Sequence, residues 1–598
     1  MKQIWNKKYR KTVIGSLVLL AVPVATFYLM EAYTHNPFEE VRPWAQFFNI
    51  VLFELLAWIF VCLTGRIRSG LRIELVIAMI YGIANAYVVR FRTNPIVPWD
   101  IFSWKTAASV ASNYDFKPDT RMVIMTLVFV ALIAGLHFVK TGFPKWKLWK
   151  RLIPAGACVV VLVLFVNLLQ NEDFQTGHRL YPFLFTPAFM AEVNGMAVTF
   201  AMDLAYVTVE KPSGYHVEEE QAVLESYENQ EDETDDNGGE EQLPNIIVVM
   251  NESFSDLKVL GDFTTNEDYM PYLHSLQNGA ENTVTGYLNV SVCGGNTANT
   301  EFEFLTGNSM AFLPQGSIPY QQYITKELPA LPAYLASLGY ETVAAHPYYA
   351  DGWDRDTVYP MLGFSESIFK DQYWGAGYVR KYVSDNSCVD KIIELYEQKE
   401  TGKPLFVFNV TMQNHGGYSD TYDNFMPDIT VDGVQNEALS QYLSLIRLSD
   451  QALEKLISYF KEADEKTIVV FFGDHQPNDT VAAPILNLNG MTTKTLTEEQ
   501  LKLRYEVPYV IWANYDIAEE TGKDTSANYL AADVLQYAGI SENAYGNYLL
   551  ELQQDYPVVS AMRVLMKDGA DTNASSLKDE LREYQSLQYY QLFDWEKE

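Results

Sequence analysis

Residues 293–307 read CGGNTANTEFEFLTG: two glycines, an asparagine and a threonine set just ahead of a segment with helical character. A Gly-rich turn feeding a helix N-terminus presents backbone N–H groups and the positive end of the helix dipole, which suits an anion. The same geometry suits a nucleophile. Thr297 is therefore either the residue that caps the helix or the group that attacks a substrate. A threonine hydroxyl is a poor nucleophile unless a base or a metal ion lowers its pKa.

Four short β-branched or aromatic runs end in residues that could supply such help. NIIVVM runs into Asn251-Glu252-Ser253, ETVAA into His346, PLFVFNVTMQN into His415-Gly416-Gly417, and TIVVFF into Gly473-Asp474-His475. A fifth run, PYVIWA, has no such ending. Glu252, Asp474 and His475 offer two carboxylates and an imidazole, and the Thr297 oxygen completes an O/O/O/N set. Such ligands suit Mn²⁺ or Mg²⁺ better than a structural zinc, which prefers thiolate and imidazole. The plainer alternative is that Asp474 caps the turn after its strand and His475 is merely next to it. With a cation present, the Thr297 hydroxyl would ionise. The helix N-terminal N–H groups would then stabilise phosphoryl oxygens, and Asn296 could add a donor.

These residues need a scaffold that brings strand ends together. The strand runs alternate with helical patterns such as ALSQYLSLIRLSDQALEKLISYFKEA. That alternation predicts an α/β domain with a mostly parallel sheet covered on both faces, beginning near Pro244 and occupying 244–598. In such folds ligands bind off the carboxyl ends of the strands.

Upstream, five apolar runs near 12–33, 43–65, 71–91, 121–140 and 152–169 approach the roughly 20 residues that cross a bilayer. They define an N-terminal transmembrane domain over 1–170. Basic residues concentrate in MKQIWNKKYRK, GRIRSGLR and KTGFPKWKLWKR, while THNPFEEVR is acidic on balance and 92–120 is mixed. By the positive-inside rule the N-terminus is cytoplasmic, and everything beyond about residue 170 is outside. Glu54 and Glu74 lie within apolar runs, either paired with basic residues or near an interface, or else contacting a lipid headgroup or polar path. Residues 171–243 form a linker, of which 218–241 holds twelve acids and no Lys or Arg, the composition of a disordered tether. The net charge of −33 argues against nucleic acid as a partner. Four scattered cysteines make no disulfide framework, although a Cys293–Cys388 bridge stays open.

Taken together, NES, GGNTANTEFEF, WDRD, NHGGY and FFGDHQP, in that order after five spans, resemble the lipoteichoic acid synthase family. These are membrane-anchored phosphoglycerol transferases of the alkaline phosphatase and sulfatase superfamily. The resemblance covers the spans and the whole ectodomain. It implies a sulfatase-like α/β/α catalytic domain outside a bacterial cell membrane. Glu252, Thr297, Asp474 and His475 match the family's Mn²⁺ ligands, and Thr297 also matches its nucleophile. Trp353 and Arg355 match substrate-site residues, as do His346 and His415 its active-site histidines, with Asn296 and Ser253 beside them. The implied substrate is phosphatidylglycerol. Thr297 would take glycerol-phosphate, release diacylglycerol and pass the group to a glycolipid or polyglycerolphosphate acceptor. His415 would contact the phosphoryl group or shuttle the proton. The family often carries Lys before the catalytic Thr; here it is Asn296, which removes a charge near the phosphate.

Rival activities leave distinct marks. A sulfatase needs Cys-x-Pro-x-Arg or Cys-x-Ala-x-Arg, whereas Cys293 is followed by Gly295 and Thr297. A two-metal phosphatase often adds Asp-x-x-x-His, and none of the eight histidines has an Asp four residues before it. A same-family enzyme that decorates another glycan with glycerol-phosphate or phosphoethanolamine stays open. A surface receptor would have lost the nucleophile or a ligand. Thr300 is expected to support the helix. Trp374 and the tyrosines of HPYYADGW divide between core packing and substrate binding, and the remaining histidines lack a partner pattern.

Overall fold

The computed structural model describes residues 7–92, 95–101, 116–139, 147–180, 187–206, 208–228, 242–314, 317–493 and 496–596. The chain divides near Thr208 into a helical N-terminal unit and an α/β unit.

Among the described residues the N-terminal unit contains five apolar helices, Lys7–Glu31, Pro43–Thr64, Ile67–Arg92, Thr120–Gly135 and Leu148–Leu169. Four carry stretches long and apolar enough to cross a membrane. Thr120–Gly135 has 16 residues, about 24 Å at 1.5 Å per residue, short of the roughly 30 Å hydrocarbon core. The span expected over 121–140 is thus a shorter helix within the described residues. The expected basic partners of Glu54 and Glu74 are absent among the described residues. Glu74 is 2% exposed, with neither carboxylate oxygen hydrogen-bonded.

The acidic segment differs from expectation in its first half. Val217–Glu228 is a helix packed against the helix Ala544–Asp555, with Tyr227 edge-on to Tyr548 at 5.6 Å and Glu220 buried. One apolar face of VEEEQAVLESYE outweighs its charge. The remainder of the expected tether, 229–241, lies outside the described residues.

The second unit is built on β1 (Asn245–Asn251), β2 (Thr283–Asn289), β3 (Glu341–Ala345), β4 (Glu366–Ile368), β5 (Leu405–Val410), β6 (Thr467–Gly473), β7 (Glu506–Ala513), β8 (Glu520–Thr521) and β9 (Thr525–Ser526). Their order is β8-β2-β7-β6-β1-β5-β3-β4, with β9 also on β2. The run β6-β1-β5-β3-β4 is parallel throughout, while β7 is antiparallel to both β6 and β2. That orientation explains why PYVIWA carries no site residue: its carboxyl end faces the opposite edge. Alternate residues of β1 enter two cores. Ile246, Val248 and Met250 join one, and Ile247 and Val249 the other. A strand buried on both faces needs a continuous apolar run rather than alternation, as NIIVVM and TIVVFF supply.

Candidate active site

The carboxyl ends of β1, β3, β5 and β6 lie side by side, with Asn251 opposite Gly473 and Ala345 opposite Asn409. This rim gathers Glu252, His346, His415, Asp474 and His475. The loop carrying Thr297 is tied to it, since Gly294 N donates to the Gln476 carbonyl at 2.9 Å. Asn296 takes a left-handed conformation (φ 67°) and starts the helix Thr297–Thr306, which leaves Thr297 at its first position. Asn296 makes no capping hydrogen bond through its side chain, so its amide stays available.

Glu252, Asp474 and His475 are all buried, and one ligand atom from each lies within 4.8 Å of the others. Their remaining atoms are already used. Asp474 Oδ1 accepts from Ser253 N at 2.6 Å and His475 N at 2.8 Å, while Oδ2 has no hydrogen-bond partner. His475 Nδ1 faces the Gln476 carbonyl at 2.8 Å, which places the ring proton there. Its Nε2 is buried without a hydrogen-bond partner, 3.2 Å from Asp474 Oδ2 and 3.9 Å from Glu252 Oε1. Glu252 Oε2 accepts from Thr297 Oγ1 at 3.4 Å. Lone pairs converging in a buried space repel unless a cation sits among them. Burial and the neighbouring Asp474 charge accordingly push the Glu252 carboxyl well above the usual carboxylate range, with the Arg355 charge acting the other way. The donor set fits a divalent cation with hard-oxygen preference, Thr297 being the fourth ligand.

Local constraints hold this arrangement. Ser253 has φ 53°, a turn that brings its N–H onto Asp474. A Cβ on Gly473 would lie 1.9 Å from the Phe254 carbonyl oxygen, so only glycine passes there. Gly473→Ala is expected to destabilise the fold by about 1–3 kcal/mol, the usual cost of overpacking, and to lower metal affinity by displacing Ser253. Thermal melts with and without Mn²⁺ check both effects. Behind the rim, Asp385 Oδ2 accepts from Asn251 (2.7 Å) and Ser449 (2.6 Å), and Asn414 donates to Asn251 (2.9 Å), which locks the β1 and β5 ends together.

The histidines take separate roles. His346 is buried, with Nδ1 on the Val410 carbonyl (2.9 Å) and Nε2 on Arg355 (3.2 Å). Arg355 is 2% exposed and paired with Glu301 rather than open to solvent. Trp353 (φ 59°) is half-buried against the core that also holds Ala298 and Phe302. His415 sits at the rim with Nδ1 3.1 Å from the Tyr382 hydroxyl. Burial, then the neighbouring Arg380 guanidinium, pushes its pKa down from 6.5 to about 3. His415 is therefore neutral at pH 7. The folded state binds fewer protons than the unfolded chain between those two values, so stability falls as the pH drops from about 6.5 toward 3. His415→Gln is expected to flatten that acid limb in thermal melts at pH 7 and pH 5.

Three groups escaped sequence reasoning. Arg380 is buried and donates to the Gln413 (2.8 Å), His415 (2.7 Å) and Gly417 (3.4 Å) carbonyls, so it shapes the NHGG loop. Tyr382 follows it in the hairpin formed by Tyr378–Val379 and Tyr382–Val383. Nothing in YVRKY signals either role. Glu301, by contrast, stands one helical turn after Thr297, a spacing that could have shown it. Tyr348 is buried and packs 6.3 Å from Tyr382, whereas Tyr349 (48%) and Trp374 (87%) are exposed. Thr300 supports the centre through a 2.8 Å bond to the Asp474 carbonyl. His274 does have partners, Asp268 at 2.9 Å and Asp256 at 3.5 Å. All four cysteines are free, and Cys293 accepts from Arg504 at 3.2 Å, so the Cys293–Cys388 bridge does not form.

Residues 244–540 match the sulfatase family model. Over 523 residues the chain is 30% identical to a putative cyclic beta-1,2-glucan modification protein of Rhizobium meliloti, covering 84% of this chain and 79% of that one. This chain belongs to the family of that protein, and its residues 244–540 form a sulfatase domain. It is also 26% identical over 241 residues to lipoteichoic acid synthase 1 of Bacillus subtilis, covering 39% of this chain and 36% of that one. The phosphoglycerol transferase GacH of Streptococcus pyogenes, solved with sn-glycerol-1-phosphate, shares the fold. Its TM-score is 0.52 at 22% identity, covering 64% of this chain and 95% of that one. The expected likeness to lipoteichoic acid synthases therefore stands. The chain is a membrane protein with a sulfatase-like α/β domain.

Proposed function

We propose that this protein is a divalent-metal-dependent phosphoglycerol transferase acting at the outer face of the cytoplasmic membrane. The observation that carries the reading is Thr297, at a helix N-terminus, 3.4 Å from Glu252 beside the partner-free Asp474 Oδ2 and His475 Nε2. Glu252, Thr297, Asp474 and His475 would hold Mn²⁺, or Mg²⁺. When bound, the ion lowers the pKa of the Thr297 hydroxyl and neutralises charge on the phosphoryl oxygens.

Thr297 Oγ1 gives up its proton to water and attacks phosphorus, the bond to the diacylglycerol oxygen breaks, and that oxygen takes a proton from water as diacylglycerol leaves. A hydroxyl of the acceptor then attacks phospho-threonine, restoring Thr297. Neutral His415, at the rim, would contact the phosphoryl group or relay the acceptor's proton to water. The first N–H groups of the Thr297–Thr306 helix stabilise the transferring oxygens. Apolar N-terminal helices, with the N-terminus inside, tether the chain to the bilayer that holds the lipid, which raises its effective concentration. The name of the Streptococcus relative supports glycerol-phosphate as the cargo, and that of the Bacillus relative supports a polyglycerolphosphate acceptor.

A second acceptor is favoured by a different observation. The relative aligned over most of the chain is described as modifying cyclic beta-1,2-glucan, so the phosphoglycerol would go to a glucan. Full-length protein in liposomes with fluorescent phosphatidylglycerol separates the cases. Mn²⁺-dependent diacylglycerol release with a growing polymer supports polyglycerolphosphate synthesis. Release that accelerates only with added cyclic glucan supports glucan decoration. Consumption of phosphatidylethanolamine alone would replace the donor, and no release from either lipid overturns the reading.

A further inference from the structure

The first turns of the Thr297–Thr306 helix meet three different parts of the centre. Thr297 faces Glu252, and Thr300 holds the Asp474 carbonyl. Glu301, fully buried, takes the guanidinium of Arg355. Arg355 Nε lies 3.1 and 3.2 Å from the two Glu301 oxygens, and its NH2 closely contacts Oε1. Its NH1 donates to His346 Nε2 and to the Gly352 carbonyl, both at 3.2 Å. Tyr359 donates to Glu301 Oε2 at 2.8 Å, and His346 is anchored on the Val410 carbonyl.

A guanidinium has five N–H donors. The bond to Glu301 from Nε, the bond from NH2 and the two from NH1 engage four of them. The Tyr359 hydroxyl also accepts from this guanidinium, so no bidentate fork is left to grip a phosphate. An arginine gripping the ground-state phosphate fully would bind substrate and transition state alike and add nothing to turnover.

We propose that Glu301 is a positioning residue that holds the Arg355 charge on the protein and joins Arg355 and His346 into one rigid unit, so that Arg355 meets an anionic phosphoryl group without a bidentate fork. This rests on the phosphoryl-transfer reading above. Freed from Glu301, Arg355 would grip phosphate more tightly and less productively.

The test uses full-length Glu301→Gln and Tyr359→Phe, the latter removing only the hydroxyl that bridges Glu301 and Arg355. Inorganic phosphate and Mn²⁺ affinities are measured by calorimetry, and lipid turnover is measured separately. Glu301→Gln is expected to bind phosphate about tenfold tighter, as for a hydrogen bond to a charged group, and to turn over at least about tenfold more slowly with Mn²⁺ affinity unchanged. Tyr359→Phe should move both quantities the same way by less, and it decides the matter if Glu301→Gln does not fold. Unchanged or weaker phosphate binding overturns the proposal, as does a loss of Mn²⁺ binding in step with turnover. If the wild type transfers no lipid, the functional reading falls, while the phosphate affinities still decide the role of Glu301.

Discussion

Thr297→Ala is expected to abolish both covalent labelling by glycerol-phosphate and lipid turnover, by at least about 10⁴-fold. The substitution removes the attacking oxygen while keeping a residue that suits a helix. Ala298, Phe302 and Leu305, fully buried, continue to pack the helix into its core, so the fold should survive. The position also loses one metal ligand, so Mn²⁺ should bind more weakly without being lost, since Glu252, Asp474 and His475 remain. Thr297→Ser keeps the hydroxyl and should retain part of the labelling. Intact protein mass after incubation with phosphatidylglycerol reads the adduct directly. An adduct in Thr297→Ala would assign the nucleophile elsewhere, and Thr300 is a poor substitute because its hydroxyl is spent on the Asp474 carbonyl.

The second large effect concerns the ion, and its sign depends on whether the ion is present. In wild type, Mn²⁺ at 100 times its dissociation constant should stabilise the fold by about 2.7 kcal/mol. Asp474→Asn should erase that gain together with turnover, since even a lost partner of a metal ligand costs roughly 10–100-fold in affinity or activity. Without metal, the same variant should be more stable than wild type, because it removes the charge that raises the Glu252 carboxyl. That raised carboxyl makes the apo protein lose stability as pH rises above about 4.5, and Asp474→Asn should lessen the loss. Melts of both proteins with Mn²⁺ and with chelator, at pH 5 and pH 8, carry the whole comparison. If chelation changes neither stability nor turnover, the trio is not a metal centre.

Much of the α/β unit was legible because a parallel strand buried on both faces must be written as an unbroken apolar run. NIIVVM, ETVAA, PLFVFNV, TIVVFF and PYVIWA are all strands, each with its ends close to the expected ones. The short β4 and the TVTGYLN strand were passed over, the second because its glycine and threonines do not read as an apolar run. Val217–Glu228 was misjudged from its charge. Its three leading glutamates also stand in the first helical turn, where they complement the dipole.

By itself the sequence determined which chemical groups end the strands, and hence that Glu252, His346, His415, Asp474 and His475 share one rim. Parallel strands in one sheet all present their carboxyl ends at the same edge, so a local reading of each run was enough. Only the tertiary structure decided how each of those groups is used. The atoms that Ser253 and Gln476 occupy on Asp474 and His475, and so the atoms left for a cation, depend on backbone turns with φ > 0° and on loop contacts. The pairing of Arg355 with Glu301 spans 54 residues, and that of Arg380 with the His415 carbonyl spans 35. No periodicity reaches across such separations. The packing of one element on another settles them, and it made Arg355, which the resemblance matches to a substrate-site residue, one arm of a buried ion pair.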